Sequence, residues 1–180
     1  MTAVEKDITS PFRVILSSSV AAKMQGGVPR PSLTERSGLG LPSQILVEVG
    51  GVMMGEHLEK HTFRVTGVSL TMGADRQYYF DPKEHQPFVD AFLAESSGRN
   101  GTSFIGHWHS HPSGSLTPSP TDLETLKNNM ASPLCDLCFM VLLIVCLGEN
   151  DRLGAEGVVL VRDSKTPSEI EVTIENGSTD

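Results

Sequence analysis

Cysteine is scarce in this chain. There are three, Cys135, Cys138 and Cys146, in 180 residues. So odd and sparse a set is not a disulfide framework. The first ten residues, MTAVEKDITS, lack the basic-then-apolar pattern of a secretory leader. Together these point to a reducing, cytoplasmic setting. Long apolar runs are missing as well. The longest, Leu137 to Leu147, is too short to cross a bilayer, so no membrane partner is expected. Positive charge is in deficit, with 14 Lys and Arg against 22 Asp and Glu and a formal net charge of −8. That argues against nucleic acid as a partner, because non-specific binding to phosphates needs a basic footprint. It is compatible with a partner whose contact surface is basic.

What is present reads as one ordinary globular domain. Hydrophobic residues make up 38% and charged residues 20%, and a chain of this length buries roughly 70% of its unfolded surface without a staple. Residues 1–11 are a polar tail, 12–176 the domain, and 177–180 a second short tail. Phe12–Leu16 reads as a strand, and the serines after it cap a helix running to about Met24. Residues 26–43, GGVPRPSLTERSGLGLPS, are rich in Gly, Pro and Ser and read as a long loop. ILVEVGGVMMGEH is a buried strand whose glycines suggest close backbone approach, and HTFRVTGVSLTM is its antiparallel neighbour. QPFVDAFLAESSG carries apolar residues four apart, a helical face. TSFIGHWHSHP is a strand, PTDLETLKNNM a helix and CFMVLLIVC a buried strand. EGVVLVRD and EIEVTIENG form a final strand pair. The fold class is α+β, a central mixed β-sheet flanked by helices.

One stretch stands out, GTSFIGHWHSHPSGSLTPSPTDLETL at 101–126, which holds three of the six histidines. Side chains alternate across a strand, so His109 and His111 share a face, with His107 further back and Trp108 and Ser110 opposite. Two imidazoles on one face are a natural ligand pair for zinc, and a catalytic zinc needs a third protein ligand. Asp122 is the candidate, in the first turn of a helix capped by Ser119 with Pro120 at its first position. A second reading stays open at this point: Ser119-x-x-Asp122 is also a capping-box-like pattern in which Asp122 serves only the helix.

His109-Ser110-His111, seven residues, then Ser119-Pro120-Thr121-Asp122 resembles the H-[S/T]-H-x7-S-x-x-D signature of the JAMM metalloproteases, the JAB1/MPN/Mov34 domain. Glu48, Gly51 and Gly55 of EVGGVMMG fit that family's upstream E-x-x-G-x-x-x-G; Glu56 is the competing glutamate, but the glycines follow Glu48. The resemblance covers roughly residues 12–162 and implies the MPN/JAB, cytidine-deaminase-like fold. It implies that His109, His111 and Asp122 hold one zinc ion with water in the fourth position. It further implies that Glu48 is the general base and that Ser119 hydrogen-bonds the oxyanion. His107 has no role to carry over and reads as a supporting or core histidine, while Trp108 reads as core. The implied activity is cleavage after the C-terminal glycine of a ubiquitin-like protein, removing or maturing conjugates. The stand-alone prokaryotic members that this compact chain resembles often belong with E1-like and E2-like enzymes, several of them in antiphage defence.

Three alternatives stand beside this reading. The same site can serve another substrate, such as a sulfur-carrier precursor or a cell-wall peptide. The domain can be a non-catalytic MPN interaction module, although all five positions are kept. More remotely, His57-Leu58-Glu59 and Cys135-Asp136-Leu137-Cys138 resemble the H-x-E and P-C-x-x-C of zinc nucleobase deaminases, with Pro133 displaced by one residue. The bland reading of those cysteines is free thiols at a buried strand.

Overall fold

A computed structural model describes residues 11–30, 47–72, 82–96, 101–111, 114–133 and 135–175. Its strands are β1 (Phe12–Leu16), β2 (Val49–Glu59), β3 (Thr62–Val68), β4 (Thr71–Met72), β5 (Thr102–Ser110), β6 (Phe139–Leu147), β7 (Leu153–Val161) and β8 (Ser168–Ile174). Its helices are α1 (Ser18–Gly27), α2 (Pro82–Glu95) and α3 (Pro120–Ala131). The strands form one mixed sheet in the order β3-β1-β8-β7-β6-β5-β2-β4, and β3 also pairs with β2. That extra pairing curls seven strands into a closed ring and leaves β4 as a short appendage on β2.

The continuous apolar run of β6 is explained by burial on both faces, which removes any reason for polar alternation. Val141, Leu143 and Val145 face the inner cluster, where α1 contributes Val20 and Met24. Met140, Leu142 and Ile144 face the outer cluster, where α3 contributes Leu126 and Met130. Each such side chain contributes about 1.5–3 kcal/mol by leaving water. Ser17 caps α1 by accepting from the Val20 amide.

The glycines of β2 have a steric cause. A Cβ on Gly51 would lie 2.2 Å from the Ser69 carbonyl oxygen, and one on Gly55 would lie against the Arg64 carbonyl. Both let the β3 arm fold back against β2, so the ring can close.

Two helix boundaries differ from expectation, and the expected final strand pair forms over a shorter stretch. Helix α1 runs on to Gly27, into the segment expected to be loop from Gly26; residues 31–43 of that loop lie outside the described residues. Helix α2 starts at Pro82 rather than near Gln86, because its first turn is too polar to show periodicity. Strands β7 and β8 pair only at Val158↔Glu169 and Val159↔Ser168, and β8 instead runs parallel to β1 over five residues. No described helix is long and apolar enough to cross a membrane.

Candidate metal centre

The site is built where β5 ends, on the outer face of the sheet. Strand β5 lies antiparallel to β2 with Gly50 opposite His109 and Val52 opposite His107. Continuing that register by two residues sets Glu48 opposite His111, on the same face as both histidines. Glu56 sits eight residues further along β2, about 26 Å away at strand rise, paired with Thr102. Register therefore separates the two glutamates.

His109 is buried, and its Nε2 lies 3.1 Å from Nε2 of His111. The His111 backbone is tied to β6 by its amide, which donates to the Val145 carbonyl at 3.0 Å. Its ring is oriented by Nδ1, 3.1 Å from the Ser115 carbonyl oxygen. A carbonyl only accepts, so Nδ1 carries a proton; in the neutral ring Nε2 presents its lone pair to the site, and in the charged ring it donates toward Asp122.

Asp122 joins this pair from α3. Its Oδ1 lies 3.3 Å from His109 Nε2 and its Oδ2 lies 3.4 Å from His111 Nε2. It is also a full capping-box partner. The Ser119 amide donates to Oδ2 at 2.6 Å, and the Asp122 amide donates to Ser119 Oγ at 3.2 Å. The two readings of Asp122 are thus compatible, because the box fixes the carboxylate in the orientation that faces the histidines. Ser119 Oγ uses an acceptor lone pair in the box and keeps its own proton to donate.

The donors fit a metal ion. Four ligands at about 2.0–2.1 Å around a tetrahedral zinc stand about 3.3–3.4 Å apart. Here the two imidazole nitrogens stand 3.1 Å apart, one carboxylate oxygen of Asp122 faces each of them, and with one ligand atom taken per residue all three donors lie within 4.8 Å of one another, close enough to converge on one ion. His109, His111 and Asp122 form the one cluster of metal-capable side chains among the described residues. Two imidazoles and a carboxylate suit a borderline divalent cation.

Electrostatics follow from this packing. Hydrogen bonding to Asp122 raises the His111 pKa; burial opposes this, and the charges of Asp122 and Glu48 and the Ser115 carbonyl add to it. Burial acts to raise the Asp122 pKa. Hydrogen bonds from His109, His111 and Ser119 outweigh that and hold the carboxyl well below the usual range. Burial pushes His107 down to about 3, helped by the nearby His109 and His85, so this ring is neutral.

Trp108 is fully buried on the inner face, and its Nε1 donates to the Ser69 carbonyl at 3.1 Å. The deaminase-like motifs are not assembled. Cys135 and Leu137 are half-buried while Asp136 and Cys138 are exposed, the alternation of an extended segment. Arg162 holds that segment by its Cys135 and Leu137 carbonyls, and His57 is stacked on Phe63. All three cysteines are free thiols.

The supporting residues were not legible as such. Ser69 receives the Val52 amide and the Trp108 indole and bonds Nδ1 of buried His85. These partners lie 16 to 39 residues apart in the chain, and no local pattern links them. For Ser115 the only hint was its place in the tether between the histidines and Ser119.

The model of a protein family described as prokaryotic homologs of the JAB domain matches residues 45–156. No curated protein matches the chain. Among solved structures, the solution structure of a protein from Desulfitobacterium hafniense is similar in fold, with a TM-score of 0.59. It is 18% identical and covers 91% of this chain and 94% of its own.

Proposed function

This chain belongs to the prokaryotic homologs of the JAB domain, and from that premise we propose that it is a zinc-dependent peptidase acting on a ubiquitin-like protein. The observation that carries this is the meeting of the metal-capable atoms of His109, His111 and Asp122 within 4.8 Å of one another, with Glu48 brought to the same face when the β2–β5 register is continued by two residues. A scaffold module has no need of such an arrangement.

His109, His111 and Asp122 would hold the zinc. Zinc bound there supplies Lewis acidity, which polarises a carbonyl and brings the pKa of water to about 7. Glu48 takes the proton from the attacking water and returns it to the leaving amine, a service worth typically about 10²–10⁴-fold. Ser119 donates its hydroxyl proton toward the developing oxyanion while its oxygen still caps α3. Asp122 is kept ionised by its box and its histidines, so it remains a ligand rather than an acid.

For the substrate, the resemblance of the whole constellation to JAMM enzymes supports cleavage after the C-terminal glycine of a ubiquitin-like protein. Removal or maturation of conjugates alongside E1-like and E2-like partners, in an antiphage pathway, is the setting we propose. Purified protein should hold about one zinc per chain by metal analysis. Glu48→Gln should keep the zinc and lose about 10²–10⁴-fold in turnover of a Gly-ending ubiquitin-like conjugate. A wild type without zinc turns the reading to the interaction module. A wild type that prefers a sulfur-carrier precursor or a cell-wall peptide to the conjugate keeps the mechanism and replaces the substrate.

A further inference from the structure

We propose that Ser110 is a positioning residue for Glu48, the part of the ligand strand that sets where the base stands. The proposal rests on the reading of Glu48 as the base. The registered β2–β5 pairs end at Gly50↔His109. Glu48 lies just outside β2, whose first residue is Val49. The tie from Val49 to β5 is a side chain: its amide donates to Ser110 Oγ at 3.0 Å. Ser110 is fully buried and points to the inner face, opposite the histidines on either side of it.

Three consecutive residues thus do two jobs. His109 and His111 send their nitrogens outward, and Ser110 sends its hydroxyl inward to fix the neighbouring strand one residue from Glu48. A second hydroxyl acts likewise three residues on, where Ser69 Oγ accepts from the Val52 amide at 2.9 Å. The other edge of this strand end is held by β4 at Val49↔Met72, so the Ser110 tie is what fixes its position against the ligand strand, and a catalytic group misplaced by about 1 Å can lose about 10²-fold in rate.

The test uses the full-length, zinc-loaded protein, and amide hydrogen exchange of the same variants without metal. Ser110→Ala is expected to lower kcat by ten- to about a hundredfold, with KM and zinc content unchanged, and to speed exchange at the Val49 amide. Ser110→Thr restores the hydroxyl and should recover both kcat and Val49 protection. If S110A does not fold, Ser110→Cys replaces it, since a thiol is a weak acceptor. A kcat for S110A within about twofold of wild type overturns the proposal. So does unchanged exchange at Val49, or a Ser110→Thr protein that regains Val49 protection without regaining kcat. A wild type that neither binds zinc nor cleaves sinks the peptidase reading and this proposal together. An active wild type matched by S110A sinks this proposal alone.

Discussion

The two faces of β5 are built by the same backbone and obey different rules. The inner face carries Trp108 and Ser110 into a close-packed cluster, where shape and hydrogen-bond satisfaction decide what is tolerated. The outer face carries His107 and His109, with His111 just beyond, toward α3 and Asp122. There the positions of three donor atoms matter more than volume. Alternation lets one strand of nine residues serve both ends without compromise.

Substitutions on each face separate these rules. The largest effect expected is at His109→Ala: zinc content falling from about one per chain to near zero, with the circular dichroism spectrum of the folded protein kept. Retained zinc in that variant would mean that the outer face does not hold the metal. Trp108→Ala, one residue earlier, should instead cost about 3–5 kcal/mol of stability in denaturant unfolding. The fraction still folded should bind zinc as before. A Trp108→Ala protein of normal stability and no zinc would erase the distinction between the faces.

Ser119→Ala tests a residue with a foot in each regime. Loss of the oxyanion donor should lower turnover by about 10²–10³-fold, while loss of the cap should cost about 1 kcal/mol in thermal unfolding. A stability loss with normal turnover leaves Ser119 a cap alone.

The smallest effect is one of sign. In the metal-free protein the raised His111 pKa contributes stability that is fully present below about pH 6.5 and is lost as pH rises through the folded value. The depressed Asp122 pKa contributes above about pH 4 and is lost as pH falls through its folded value. The metal-free melting temperature should therefore rise from pH 8 to 6.5. Zinc affinity should fall over the same range, by up to about tenfold per unit, because the His111 proton competes for the ligand nitrogen. Calorimetry and a chelator competition series read the two slopes, and slopes of the same sign count against the assigned coupling.

Much of this was legible because it is local. The His109–His111 face follows from strand alternation, and Ser119 and Asp122 follow from the start of a helix. The β6 run announced a strand buried on both sides. The extent of α1 past Gly26 and the polar first turn of α2 were not legible. Tertiary packing holds α1 through Val20 and Met24, and the packing of α2 rests on a buried His85 that no periodicity marks.

By itself the sequence determined the donor types, their spacing and the strand and helix that present them. These depend on chemistry and on interactions across a few residues. Only the tertiary structure decided that three donors separated by up to thirteen residues converge within 4.8 Å of one another. The glycine spacing already favoured Glu48 over Glu56, and register sets the two far apart along β2; only the structure tied Val49 to Ser110 across sixty-one residues. Those outcomes depend on how the ring of strands closes. Closure is a property of all its pairings at once, which no single segment encodes.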